Sequence, residues 1–150
     1  MSTEPVTIIL AEDDDGHASL VQRNLERAGL LNGFARVRDG QELLDCLTAR
    51  KRLDGLPLGD ELVILLDINM PRIDGIEALR QIKANPETQR IPVIMLTATD
   101  DPREVNRCYE LGCNVYVTKP VDYEGFIDAI RRLGMFLQVV KRPQSGWRSE

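Results

Sequence analysis

Glu12, Asp13, Asp67, Thr97 and Lys119 could carry chemistry, because each stands where an aliphatic run ends. Leu62-Val63-Ile64-Leu65-Leu66 stops at Asp67, and Ile68-Asn69-Met70-Pro71-Arg72-Ile73-Asp74-Gly75 follows. Ile8-Ile9-Leu10-Ala11 runs into Glu12-Asp13-Asp14-Asp15, Ile91–Leu96 runs into Thr97, and Val115–Thr118 runs into Lys119-Pro120. The Leu62–Leu66 run reads as a strand buried on both faces, and the other runs end in the same manner. Parallel pairing would bring their carboxyl ends to one edge, which is where open α/β sheets bind ligands. An acidic cluster, a potentially nucleophilic carboxylate, a hydroxyl and a lysine would meet there. That set suits phosphoryl transfer.

Charge limits how such a site can exist. Two carboxylates about 5 Å apart repel by roughly 3 kcal/mol at an effective dielectric near 20. Lys119 offsets one charge, and a divalent cation would offset two more. The donors are hard oxygens, which fit Mg²⁺ keeping some of its waters. Asp13 and Asp67 are the expected direct ligands, Glu12 acts through water, and the Asn69 backbone carbonyl completes the protein set. Asp67 is then the expected phosphoacceptor, since carboxylates do form aspartyl phosphates. The Thr97 hydroxyl can turn to a new phosphoryl oxygen, and Ala98 leaves room for it to approach.

The elements that must position these residues alternate strand and helix five times. Strands are expected at about Val6–Ala11, Phe34–Val37, Leu62–Leu66, Ile91–Leu96 and Val115–Thr118. The first helix, near Gly16–Ala28, turns Leu20, Val21, Leu25 and Ala28 inward and closes at Gly29. The second has Asp39 as N-cap and Leu43, Leu44 and Leu47 inside. The third opens after Asp74-Gly75, carries Ile76, Leu79 and Ile82, and stops at Asn85-Pro86. Asp101-Pro102 starts the fourth. The last begins near Asp122 with Phe126, Ile127, Ile130, Leu133 and Leu137 on its inner face. This pattern predicts a doubly wound (βα)5 α/β fold of the flavodoxin type, with a parallel sheet of order 2-1-3-4-5. Residues 1–142 form the domain, Arg52–Asp60 an extended loop, and Pro143–Glu150 a flexible tail.

A 150-residue chain of net charge −5 holds one core and shows no basic face for nucleic acid. No apolar run reaches membrane length, and Met1-Ser2-Thr3-Glu4-Pro5 lacks a signal-peptide pattern, so a cytoplasmic location is expected. Cys46, Cys108 and Cys113 are odd in number with no Cys-x-x-Cys spacing, and read as small buried hydrophobes. His17 is the lone histidine and reads as structural. Asp14, Asp15 and Asp74 read as helix-start and turn acids.

Four motifs in this order resemble the receiver domain of two-component response regulators: Ala11-Glu12-Asp13-Asp14, Leu66-Asp67 through Asp74-Gly75, Met95-Leu96-Thr97-Ala98 and Val117-Thr118-Lys119-Pro120. The resemblance covers about residues 5–140. It implies Asp67 as phosphoacceptor, Glu12 and Asp13 as the acidic metal pocket, Thr97 as the switch hydroxyl, and Lys119 as the pocket lysine. It also implies Tyr116 as the aromatic that swings inward on activation, and a cis peptide at Lys119-Pro120. The Arg52–Asp60 loop and the Gly134-Met135-Phe136 region resemble single-domain regulators of phytochrome-type sensor kinases. The implied function is a stand-alone regulator that takes a phosphoryl group from a sensor histidine kinase or phosphotransfer protein. It catalyses only its own phosphorylation and dephosphorylation. Phe136, Leu137, Val139 and Val140 suggest a homodimer through the final helix. Two alternatives stay open: a pseudo-receiver that only docks partners, and a haloacid-dehalogenase-like phosphohydrolase, whose second carboxylate would fall at Asn69.

Overall fold

Every aliphatic run expected to be a strand is one in the computed structural model, which describes residues 6–49, 62–119 and 122–132. The strands are β1 (Val6–Ala11), β2 (Leu31–Val37), β3 (Leu62–Leu66), β4 (Val93–Thr97) and β5 (Val115–Thr118). They form one parallel sheet of order β2-β1-β3-β4-β5. The helices are α1 (Asp15–Arg27), α2 (Gly40–Ala49), α3 (Gly75–Ala84), α4 (Pro102–Leu111) and α5 (123–132). The expectations for the Arg52–Asp60 loop, the Lys119-Pro120 peptide, Leu133, Leu137, the 134–140 region and the tail lie outside the described residues.

Alternation along the central strands builds the two layers. Ile9, Ala11, Ile64, Leu66, Val93 and Met95 face a cluster that includes Leu43 and Leu47 of α2, Leu79 and Ile82 of α3, and Cys108 of α4. Ile8, Leu10, Val63, Leu65, Ile94 and Leu96 face Val21 and Leu25 of α1 and Phe126 and Ile130 of α5. Because successive side chains point to opposite faces, a strand covered on both sides must be apolar throughout. All five residues of β3 and all five of β4 are buried.

Helix starts follow their capping residues. Asp14, Asp74 and Asp101 are N-caps whose carboxylates accept from the backbone N–H of His17, Glu77 and Arg103. The Asp39 carboxylate accepts from the Glu42 N–H at 2.8 Å. Each bond satisfies a donor that the first turn would otherwise leave orphaned. Gly29 and Gly112 follow α1 and α4 with φ of 71° and 109°, the left-handed geometry that ends helices cheaply at glycine.

Three boundary expectations need correcting. Leu20 is 41% exposed while Ala18, Val21 and Leu25 form the buried stripe of α1; the 3.6-residue period places Ala18, three positions before Val21, on that stripe instead. β2 starts at Leu31 rather than Phe34, since β1 offers ladder partners that far, with a register shift at Val6/Thr7. β4 runs from Val93 to Thr97 rather than from Ile91 to Leu96. Pro92 has no N–H to add to the ladder, although its carbonyl accepts from the Ile64 N–H at 3.0 Å.

Candidate functional site

Register brings the site together. Ala11 pairs with Leu66, so the next residues, Glu12 and Asp67, stand side by side on the two central strands. The Asp67 N–H donates to the Ala11 carbonyl at 3.1 Å, and the Glu12 N–H donates to the Val37 carbonyl at 3.1 Å. Thr97 pairs with Thr118, and the Lys119 N–H returns to the Thr97 carbonyl at 2.8 Å. The expected residues are therefore fixed by backbone bonds, one step past the last apolar side chain.

Lys119 links the two buried acids. Its ammonium donates to Glu12 Oε1 at 2.9 Å and to Asp67 Oδ2 at 3.2 Å. Glu12 is 1% exposed and Asp67 is 6% exposed. Burial pushes the Glu12 carboxyl up, but hydrogen bonds from His17 and Lys119 overcome it and hold the group down at about 2. For Asp67 the balance reverses: burial, then the Glu12 charge, raise its carboxyl above the usual range despite Lys119. Lys119 itself pays desolvation, yet the bond to Glu12 and the charges of Asp67 and Glu12 raise it. Of the two buried acids, Asp67 is thus the one whose charge is less compensated.

A divalent cation fits these donors. Carboxylate oxygens of Glu12, Asp13 and Asp67 lie within 4.8 Å of one another. Asp13 is exposed, and among the described residues its carboxylate has no hydrogen-bonded partner. Hard, anionic and partly open to water, the set suits Mg²⁺ or a similar ion. Asn69 is exposed in the turn after β3, and its N–H donates to Asp67 Oδ1 at 3.2 Å.

Thr97 is 0% exposed, and its hydroxyl finds no hydrogen-bond partner among the described residues. Orphaned buried hydroxyls are uncommon and costly. Ala98 beside it is exposed. Tyr116 packs against the core cluster beneath α4, and its hydroxyl donates to the Thr99 carbonyl at 2.6 Å. Burial, then neighbouring Cys108 and Glu104, push the Tyr116 phenol up to about 12.

Two participants escaped the sequence reading. His17, read as structural, lies with Nδ1 2.7 Å from Glu12 Oε1. Arg36 donates from Nε to the Glu12 carbonyl at 2.9 Å and from Nη1 to Asp15 at 2.7 Å. The available signal for His17 was its place three residues past the Asp14 cap, which turns the first helical turn toward the end of β1. Nothing local marked Arg36, which reaches the site from the neighbouring strand.

Comparison with known proteins agrees with this geometry. The family described as the response regulator receiver domain matches residues 8–131. Response regulator Rcp1 of Synechocystis is 33% identical over 95% of this chain and 96% of its own length. Its solved Mn²⁺-bound form superposes with a TM-score of 0.72 at 32% identity, covering 88% of this chain and 94% of that one. A receiver domain from Rhodospirillum rubrum gives a TM-score of 0.72 at 47% identity, over 89% and 94% of the two chains. The bacteriophytochrome response regulator RtBRR gives 0.73 at 39% identity, over 87% and 78%. No described helix is long and apolar enough to cross a membrane.

Proposed function

The chain belongs to the response regulator receiver family, and from that premise we propose that Asp67 accepts a phosphoryl group from a sensor histidine kinase or phosphotransfer protein. The observation that carries this reading is the Lys119 ammonium bridging Asp67 Oδ2 and Glu12 Oε1, with Asp13 open beside them. An Asp67 carboxylate oxygen attacks phosphorus. A new O–P bond forms, the donor's P–N or P–O bond breaks, and the leaving group keeps the electron pair. Lys119 is placed to follow the negative charge onto the phosphoryl oxygens, since positioning and charge stabilisation supply most of the rate in such transfers. Mg²⁺ held by Asp13 and Asp67, with Glu12 through water and the Asn69 carbonyl, would add positive charge there. The Mn²⁺-bound form of Rcp1 supports a divalent ion as the metal for this chain.

The signal then leaves through Thr97 and Tyr116. The unpartnered Thr97 hydroxyl turns to a phosphoryl oxygen, and Tyr116 follows the space it vacates, shifting a pre-existing equilibrium. We take the chain as a cytoplasmic receiver acting by protein contact, with a homodimer through the apolar Phe136, Leu137, Val139 and Val140. The bacteriophytochrome regulator among its relatives favours a phytochrome-type kinase as donor. Catalysis is confined to its own phosphorylation and dephosphorylation. Family membership leaves the phosphohydrolase alternative without support.

Intact-mass measurement after incubation with acetyl phosphate and Mg²⁺ tests the reading. A phosphoadduct is expected in the wild type and none in Asp67→Asn. An undiminished adduct in the variant would move the acceptor away from Asp67, and none in the wild type even with its kinase would leave a phosphorylation-independent docking module.

A further inference from the structure

Glu12 has one methylene more than an aspartate would need at the end of β1, and three donors fold it back. Oε1 accepts from Lys119 at 2.9 Å and lies 2.7 Å from His17 Nδ1; Oε2 accepts from the Asp14 N–H at 3.2 Å. An ionised carboxylate only accepts, so Nδ1 must carry the proton and His17 is the donor. Charge-assisted bonds of this length are among the stronger side-chain contacts. With two bonds at Oε1 and one at Oε2, the remaining open lone pair lies on Oε2. Lys119, sharing Glu12 with the imidazole, keeps a second bond to Asp67.

His17 has the backbone to hold this pose. It is the third residue of α1, its own N–H capped by the Asp14 carboxylate at 2.9 Å. Its side chain is 17% exposed. Asp14 is thus tied to His17 by its side chain and to Glu12 by its N–H, and the imidazole closes the loop between them. Removing the imidazole frees a side chain with three rotatable bonds and leaves the Lys119 ammonium and the Asp14 N–H as the partners of the Glu12 carboxylate among the described residues. Ordered partners of this kind decide how well a carboxylate presents its free oxygen to a water that a cation holds.

We infer that His17 is a positioning residue for the divalent-cation site, acting through Glu12 to hold its carboxylate in place beside Asp13 and Asp67. The inference rests on the metal reading of the site but adds a residue that touches neither cation nor phosphoryl group. It separates His17 from a merely structural histidine, because its effect must vanish when Glu12 is gone.

Magnesium titration of the unphosphorylated protein followed by NMR amide shifts provides the test, with no turnover involved. His17→Ala is expected to weaken Mg²⁺ binding by about tenfold, the usual scale for losing a partner behind a ligand. His17→Asn, whose side-chain N–H₂ can occupy the Nδ1 position, should stay within about twofold of wild type. In a Glu12→Ala background, His17→Ala should change the affinity by less than about twofold. Unchanged affinity in His17→Ala overturns the inference alone, as does an equal loss with Glu12 absent or no rescue by asparagine. A wild type that binds no Mg²⁺ overturns it together with the metal reading.

Discussion

A Cβ built on Gly75 would stand 2.1 Å from the backbone carbonyl oxygen of Asp67. The first residue of α3 therefore packs directly against the backbone that carries the proposed phosphoacceptor. The Gly75 N–H donates to the Ile68 carbonyl at 2.8 Å, so the contact closes the turn after β3. Between them Arg72 takes a φ of 68°, and its guanidinium reaches Asp39 at 3.4 Å. The Asp67 turn is held from both α2 and α3.

Gly75→Ala should therefore damage the site through the backbone rather than through lost chemistry. The added methyl meets backbone, not a flexible side chain, and overpacking of that kind costs about 3 kcal/mol. Urea unfolding should show a lower midpoint with an unchanged slope. Phosphorylation from acetyl phosphate should slow in the folded fraction. A variant as stable as wild type would show that the turn can yield.

Asp67→Asn should abolish the phosphoadduct and stabilise the metal-free protein. Burial, then the Glu12 charge, raise the Asp67 carboxyl in the fold. A raised folded value means that the native state binds this proton more tightly than the unfolded chain. Ionised Asp67 thus costs stability at about pH 7, and the cost fades as pH falls through its folded value. The Tm gain of Asp67→Asn should be largest near neutrality and shrink on acidification. Added Mg²⁺ should raise the wild-type Tm more than that of the variant.

Thr97→Val replaces an orphaned buried hydroxyl with a methyl of similar shape. The unphosphorylated protein should gain about 1 kcal/mol, since an unmade buried hydrogen bond costs on that order. The same change should disconnect the switch. Beryllofluoride should still shift amides around Asp67, while shifts at Val105–Tyr116 collapse. Full propagation through Thr97→Val would remove the hydroxyl from the pathway.

The chain has three cysteines, and all are buried and unpaired. Burial, aided by nearby negative groups, pushes Cys46 and Cys108 up to about 11 and Cys113 up to about 12. Raised folded values favour the neutral thiol in the native state. That contribution is complete below the ordinary thiol value and is lost as pH climbs through about 11 to 12. Ellman's reagent at about pH 8 should find no reactive thiol in the native protein and all of them after denaturation. Rapid native labelling would contradict the packing of α2 and α4.

Local chemistry wrote much of this protein into its sequence. Doubly covered strands need unbroken apolar runs, so β1, β3 and β4 were readable, and β-branched Val115 and Val117 marked the half-buried edge strand β5; with them came the positions of Glu12, Asp67, Thr97 and Lys119 at strand ends. Caps were readable because Asp14, Asp74 and Asp101 act on N–H groups two or three residues away. Tertiary structure decided what has no local signal. Lys119 meets Glu12 across 107 positions and Asp67 across 52, so which acid is held ionised and which is pushed up depends on sheet register. Arg36 supports Glu12 from the neighbouring strand, and the solvent-facing side of α1 was settled by its docking rather than by Leu20. The role of His17 belongs to the same class. A histidine near a helix start says nothing until the end of β1 is placed beside it, because a hydrogen bond depends on distance and direction that only the folded chain supplies.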